Sequence, residues 1–273
     1  MAVYFVTDFH LGIPTLKESH ERELKLLRFL DSIKADCEEL FLMGDLFDFW
    51  FEYKSVIPKG FVRIQGKLAE FTDSGIPVHL FIGNHDLWCF GYLHDEMGIQ
   101  LHREPEVMMM KGKKFFLVHG DGYGPGDRGY KFLKKVFSFK PNQWLFRWLH
   151  PDLGIRLALR WSHNHRLKKL RQEVERGYYD DIPNTRLYQY AQEQAALDPT
   201  IDFFVFGHQH KPMQYQSGDH ALTTIVGNWI YDFTYAVFDG ETVELKRFER
   251  LLAESGSTCA EGRAGFFSSL RMA

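Results

Sequence analysis

Along the chain, short and nearly unbroken apolar runs alternate with longer stretches in which apolar residues recur every three or four positions. The runs at 3–6, 40–43, 78–82, 115–118 and 203–206 are flanked by turn-forming residues, a pattern that predicts strands covered on both faces. The spacing predicts a helix over 18–33, with Leu24, Leu27, Phe29 and Leu30 on one side, and a second over 61–71. After Ala221 the runs at 222–226, 235–238 and 243–248 crowd together, the last two joined by an Asp239–Gly240 turn. Strands alternating with helices, followed by a closely spaced set, predict an α/β layered fold with an antiparallel edge. Two segments break the rhythm. Residues 122–180 show no strand pattern, begin Gly-rich and continue as helix crowded with Trp and Arg, while residues 251–273 are rich in Ser, Gly and Ala and are expected to be disordered. The expected organisation is one domain over 1–250, containing a helical insert at 122–180, and a tail.

Each of the first five runs ends in the same kind of chemistry. The first leads into TDFH, with Asp8 and His10, and the second into MGDLFD, with Asp45. The third leads into IGNHD, with Asn84 and His85, the fourth into HGD, with His119, and the fifth into GHQH, with His208 and His210. Ligands of open α/β sheets bind beyond the carboxyl ends of the strands, so these donors are expected to converge. Carboxylate, amide and imidazole without thiolate describe a site for Mn, Fe or Zn rather than a structural zinc. Even without His85, seven donors exceed the needs of one ion and predict two divalent cations sharing a carboxylate, roughly 3.5–4 Å apart. Such a pair activates water at neutral pH and neutralises charge on an in-line phosphoryl transition state. His79, His94, His102, His150 and His220 lack a partner motif and are expected to be surface or satisfied core histidines.

Asp-x-His, Gly-Asp-x-x-Asp, Gly-Asn-His-Asp, a His before Gly, and Gly-His-x-His in this order resemble the calcineurin-like metallophosphoesterases, over most of residues 1–250. The resemblance implies a four-layer αββα sandwich in which Asp8, His10 and His210 hold the first ion. It implies that Asn84, His119 and His208 hold the second, with Asp45 bridging. By the same likeness His85 touches the substrate phosphate or protonates the leaving group, which makes Asp45 and His85 the catalytic candidates. Asp48 and Asp86 are expected to be turn and cap carboxylates that orient loops. Within the superfamily, DFHLG, GDLFDFW, HGD running through a Gly-rich loop into DRGY, and a helical insert before GHQH resemble the UDP-2,3-diacylglucosamine diphosphatases of lipid A biosynthesis. That likeness implies attack at the α-phosphorus of UDP-2,3-diacylglucosamine, release of UMP and 2,3-diacylglucosamine 1-phosphate, Mn(II) as the metal, and acyl chains lying under the insert as a cap. The substrate contacts it implies are Asn84, His85, Asp127, Ser162, Arg166, Lys169 and His208. The chain departs from that pattern at His85, where well-known diphosphatases carry Arg. A phosphodiesterase or phosphatase for another nucleotide or soluble phosphoester, and a scaffold without catalysis, are the alternatives.

Charge and composition sharpen the reading of the insert. The chain has 273 residues and a net charge of -3, which argues against a general nucleic-acid binder. Residues 122–180, however, hold 13 Lys and Arg against 5 Asp and Glu, a net charge of about +8 against about -11 elsewhere, and three of the six Trp: Trp144, Trp148 and Trp161. A basic, aromatic helical insert suits a phosphorylated, greasy substrate or an anionic membrane surface. A small self-contained helical core would explain the aromatics but not the charge. Three widely spaced cysteines form no disulfide framework and suit a reducing compartment. Without a basic N-terminal region or a long apolar run, the expected location is the cytoplasm, on or near the inner face of the inner membrane. Aromatic residues make up 16% of the chain, with 25 Phe, and need a structural home.

Overall fold

The computed structural model describes residues 1–160, 162 and 185–248. Its first sheet has six strands in the order β11-β10-β1-β2-β3-β4, and its second has five in the order β5-β6-β7-β9-β8. In the first sheet β1 (Ala2–Val6), β2 (Cys37–Leu42), β3 (Val78–Phe81) and β4 (Gln100–His102) run parallel, and β10 (Thr234–Phe238) and β11 (Val243–Arg247) add antiparallel. In the second, β6 (Lys113–Val118), β7 (Phe203–Phe206) and β9 (Ala221–Ile225) are parallel, with β5 (Glu106–Met110) and β8 (Met213–Ser217) antiparallel at the two edges.

Residue parity along the strands builds the layers. Even-numbered Tyr4, Val6, Leu40, Leu42 and Leu80 face α1 (Leu16–Ile33), α2 (Val62–Asp73) and α3 (Tyr92–Met97). Odd-numbered Val3, Phe5, Phe41, Met43 and Phe81 meet Phe115, Leu117, Phe203 and Val205 of the other sheet. Phe116, Val118, Phe204 and Phe206 turn outward onto the final helix, Arg186–Leu197. The result is the four-layer αββα sandwich. The phenylalanines find their place here: Phe115 lies between the sheets with ring centroids 5.9 Å from Phe5, 4.8 Å from Phe203 and 4.9 Å from Phe238.

The structure corrects the expectations in several places. The helix expected at 18–33 begins at Leu16, where Thr15 caps it by accepting from the Glu18 N–H at 3.2 Å. Its buried face is Ser19, Arg22, Glu23, Leu26, Phe29, Leu30 and Ile33, while Leu24 and Leu27 are only half-buried. The stripe is displaced because two charged residues occupy it with work to do: Arg22 donates to the carbonyls of His10 and Ile13 at 2.8 and 2.6 Å, and Glu23 accepts from the Ile64 N–H at 3.1 Å. The closely spaced strands after Ala221 do not form one antiparallel edge. β9 joins the second sheet parallel to β7, and only β10 and β11 make the antiparallel flank of the first. Strands β4, β5 and β8 are additions to the sequence pattern; β4 has three residues, and the other two alternate between exposed and half-buried positions as edge strands do.

Within 122–180 the described residues contain no strand, as expected, but three helices: α4 (Arg128–Ser138), α5 (Lys140–Arg147) and α6 (151–160). With these the final helix, Arg186–Leu197, is α7. Phe146 of α5 lies among Phe51, Trp88 and Phe49, at 4.7, 4.8 and 6.4 Å, and the Trp88 indole N–H donates to the Phe137 carbonyl at 3.0 Å. The expected tail at 251–273 lies outside the described residues. Phe115→Ala should remove about 3–5 kcal/mol of stability by opening a cavity between the sheets, read from the midpoint of urea unfolding; a loss under about 1 kcal/mol would contradict this packing.

Candidate metal centre

The loops after β1, β2, β3, β6 and β7 meet at one end of the sandwich, and hydrogen bonds across the two sheets set their positions. The His208 N–H donates to Asp8 Oδ2 at 2.9 Å, and His119 Nδ1 donates to the Met43 carbonyl at 2.6 Å. Within a sheet, the Asp8 N–H donates to the Gly44 carbonyl at 3.0 Å and the Gly207 N–H to the His119 carbonyl at 2.9 Å. Close approach requires glycine at two of the flanking positions. A Cβ on Gly83 would sit 2.3 Å from Asp45 Oδ1, and one on Gly207 would sit 2.3 Å from Thr7 Oγ1 and 3.0 Å from Asp8 Oδ2.

Three sets of side chains converge so that their ligand atoms lie within 4.8 Å of one another: Asp8 with His10 and His210, Asp45 with His119 and His208, and His10 with Asp45 and His85. Asp8 Oδ1 is 3.1 Å from His210 Nε2, which is 3.2 Å from His10 Nε2. Asp45 Oδ2 stands between the sets, 3.6 Å from His10 Nε2 and 3.4 Å from His119 Nε2. Its other oxygen accepts from the His85 N–H at 2.9 Å. The backbone φ angles of Asp8, His10, Asp45 and His208 are +54°, +43°, +53° and +62°, a region that costs on the order of 1–3 kcal/mol for each residue that carries a side chain.

Electrostatics explain why such a cluster wants cations. Burial alone would push the carboxyls of Asp8 and Asp45 up, but the surrounding imidazoles more than offset it and hold both well below the usual carboxylate range. Reciprocally, burial pulls His119 down, and the charge of Asp45 and Asp8 outweighs it and lifts the imidazole to about 10. Two buried negative charges thus hold positive charge in place. Asp8 Oδ1, Asn84 Oδ1 and His119 Nε2 are buried without a hydrogen-bond partner among the described residues. Such buried oxygen and nitrogen atoms in a thiolate-free cluster fit divalent cations, which would take the place of the proton on His119.

The other predicted residues fare differently. His85 donates from Nδ1 to the Asp48 carbonyl at 2.6 Å, and its ring stands edge-on to His10 at 4.7 Å. Asp127 caps α4, accepting from the Tyr130 N–H at 3.4 Å, and is ion-paired with Arg186. Ser162 is buried and donates to Asp48 Oδ2 at 3.3 Å. Arg166 and Lys169 lie outside the described residues. Asp48 does more than turn a loop, since its Oδ1 faces His10 Nδ1 at 3.4 Å and so orients that imidazole. Asp86 accepts from the N–H groups of Leu46 and Phe47, the residues after Asp45, and burial beside Asp45 pushes it up to about 7. His79 is a satisfied core histidine, 3.0 Å from His102 and stacked on Phe41. Sequence reasoning misses Asp121, whose Oδ2 takes the Tyr130 hydroxyl at 2.6 Å and Lys134 Nζ at 2.7 Å and so ties α4 to the loop of His119; its place in HGD is the available signal.

The family model for calcineurin-like phosphoesterases matches residues 1–212. The chain belongs to the calcineurin-like phosphoesterases. As a phosphoesterase it is a hydrolase, and divalent cations are the cofactor class its family and its donor set require. Among curated relatives, the UDP-2,3-diacylglucosamine hydrolase of Porphyromonas gingivalis (strain ATCC BAA-308 / W83) is 35% identical over 255 residues, 90% of this chain and 97% of that protein. The protein of the same name from Histophilus somni (strain 129Pt) is 26% identical, over 83% of this chain and 91% of its own. The solved structure of Yfce, a phosphoesterase from E. coli, has 14% identity and a TM-score of 0.44, covering 90% of this chain and 93% of that one.

Gly83→Ala tests the close approach in this phosphoesterase. The added methyl should displace Asp45 and lower bound metal, measured by elemental analysis after dialysis, while far-ultraviolet circular dichroism stays unchanged; full metal content would refute the crowding.

Proposed function

We propose that this phosphoesterase hydrolyses the pyrophosphate of UDP-2,3-diacylglucosamine to UMP and 2,3-diacylglucosamine 1-phosphate, with Mn(II) as its metal. The observation that carries the reading is the 35% identity, over nearly the whole of both chains, to a protein named for that substrate. The convergent donors support it. In this reading Asp8, His10 and His210 hold one cation, Asn84, His119 and His208 the other, and Asp45 serves both. Bound there, the cations supply charge neutralisation at phosphorus and an acidified water.

The chain's own groups complete the chemistry. His85 donates its Nδ1–H to the Asp48 carbonyl, which fixes the ring, and in this reading its imidazole meets a phosphoryl oxygen or the leaving group. Asp48 holds both His85, through its carbonyl, and His10, through its carboxylate. The Ser162 hydroxyl ties that same carboxylate to the insert, so the reading makes the insert part of the active site, with Asp127 and Ser162 on the substrate side. Asp45→Ala should lower turnover roughly a thousand-fold. Chromatography of products from UDP-2,3-diacylglucosamine and Mn(II) should show UMP; hydrolysis of simple phosphodiesters without UMP release from that substrate would overturn the assignment.

The surface of the insert supports an acylated substrate and a peripheral place on the inner face of the membrane. Neither α4 nor α5 has a buried residue, and Phe132, Phe139, Trp144, Leu145, Trp148 and Leu153 are exposed beside Lys135, Lys140, Arg147 and Arg156. A helical subdomain built around its own core would bury such side chains. No helix among the described residues is long and apolar enough to cross a membrane, so attachment would run through this surface. Replacing Trp144 and Trp148 together by Ser should weaken kcat/KM for the acylated sugar nucleotide about ten-fold or more. A small chromogenic diester should be hydrolysed as before, and equal losses on both would mean the tryptophans are structural.

A further inference from the structure

β9 is the one central strand of the second sheet whose end offers no candidate ligand. Its final loop is instead a knot of hydrogen bonds around Asn228, which is fully buried. Asn228 Oδ1 accepts from the N–H groups of Ile230 and Tyr231 at 2.9 and 3.0 Å. Its Nδ2 donates to Asp232 Oδ2 at 2.9 Å and to the main-chain carbonyl of His210 at 2.7 Å. This pattern fixes the amide's orientation, because the flipped form would set Oδ1 against a carboxylate and a carbonyl and the NH2 group against two N–H donors. The neighbouring Trp229 N–H donates to the main-chain carbonyl of Asp8 at 3.1 Å. One short turn therefore holds, from behind, the backbones of two side chains whose donors lie 3.1 Å apart.

We propose that Asn228 is a positioning residue for the cation site of Asp8, His10 and His210. The inference rests on the metal assignment under Proposed function and adds to it a residue that contacts no ion. His210 sits in a stretch, 207–212, without regular secondary structure, and its side chain is partly exposed. The Asn228 amide gives it a rigid anchor to the sheet, in the way that outer groups orient metal-binding histidines elsewhere. Asp8 is anchored through the same turn, so loss of the amide loosens the first site selectively. The second site shares one bond with the first, His208 N–H to Asp8 Oδ2, but takes its other positions elsewhere, from His119 Nδ1 on the Met43 carbonyl and from Asp45 Oδ1 on the His85 N–H.

Calorimetric titration of metal-stripped full-length protein with Mn(II) tests this, with His10→Ala and Asn84→Ala marking which binding step belongs to which site. Asn228→Asp keeps the volume and the acceptor but replaces the donor to His210 with an oxygen. It should weaken the first-site step by about 10–100-fold and leave the other within about two-fold. Asn228→Ala gives the same readout should the extra carboxylate beside Asp232 prevent folding. Thr234→Val removes the hydroxyl that accepts from the Asn228 N–H at 3.3 Å, disturbing the turn while sparing the amide, and should lower thermal stability without moving either step. Two steps in the wild type with neither weakened in the Asn228 variants, both weakened alike, or Thr234→Val as damaging as Asn228→Asp, would overturn the role. Fewer than two ions on the wild type would instead overturn the metal assignment beneath it.

Discussion

Two carboxylates buried at the ends of adjacent parallel strands, Asp8 after β1 and Asp45 after β2, are the constraint on which the centre of this molecule depends. Charges removed from water must be matched, and the protein matches them with imidazoles brought from β3, β6 and β7 and with backbone N–H groups of His85 and His208. The two sheets must therefore meet with their strand ends level, and the layer of stacked phenylalanine rings between them sets that alignment. Catalytic geometry and inter-sheet packing are in this sense one problem.

Around this rigid centre the insert is built on a different principle. Its described residues touch the body through directed contacts, notably Phe146 among the aromatics of the 49–53 loop and Tyr130 and Lys134 on Asp121. Its outer surface keeps large apolar and cationic side chains in solvent. A folded protein rarely leaves such groups uncovered without a ligand or surface to take them. Under the proposed function the labour divides accordingly, with the sandwich positioning the chemistry and the insert selecting what reaches it.

Much of this was legible in the chain itself, for reasons that differ by element. Central strands announced themselves because both faces are covered and their apolar runs are unbroken. β5 and β8 did not, since an edge strand that exposes alternate residues resembles ordinary surface. The face of α1 was misjudged because Arg22 and Glu23, polar by type, are buried to hold the His10 carbonyl and the start of α2. The candidate ligands could be read because five motifs each combined a strand end with a donor. Asn228, acting one step removed, could not be, because its partners are brought to it only by the folded chain, and Asp121 had no signal beyond its place in HGD. Asp127 was marked out by resemblance alone, and its place at the start of α4 beside Arg186 came only from the folded chain.

The left-handed backbone at Asp8, His10, Asp45 and His208 bears on how such a centre can diversify. Aspartate, asparagine and histidine are the non-glycine residues most at ease in that conformation, and they are also oxygen and nitrogen donors suited to hard and borderline cations. One small alphabet thus answers two demands at the same positions. An exchange to glutamate or cysteine would have to solve a backbone problem and a coordination problem in a single mutational step. The helices of the insert carry no such double demand, because their ordinary backbone accepts most side chains.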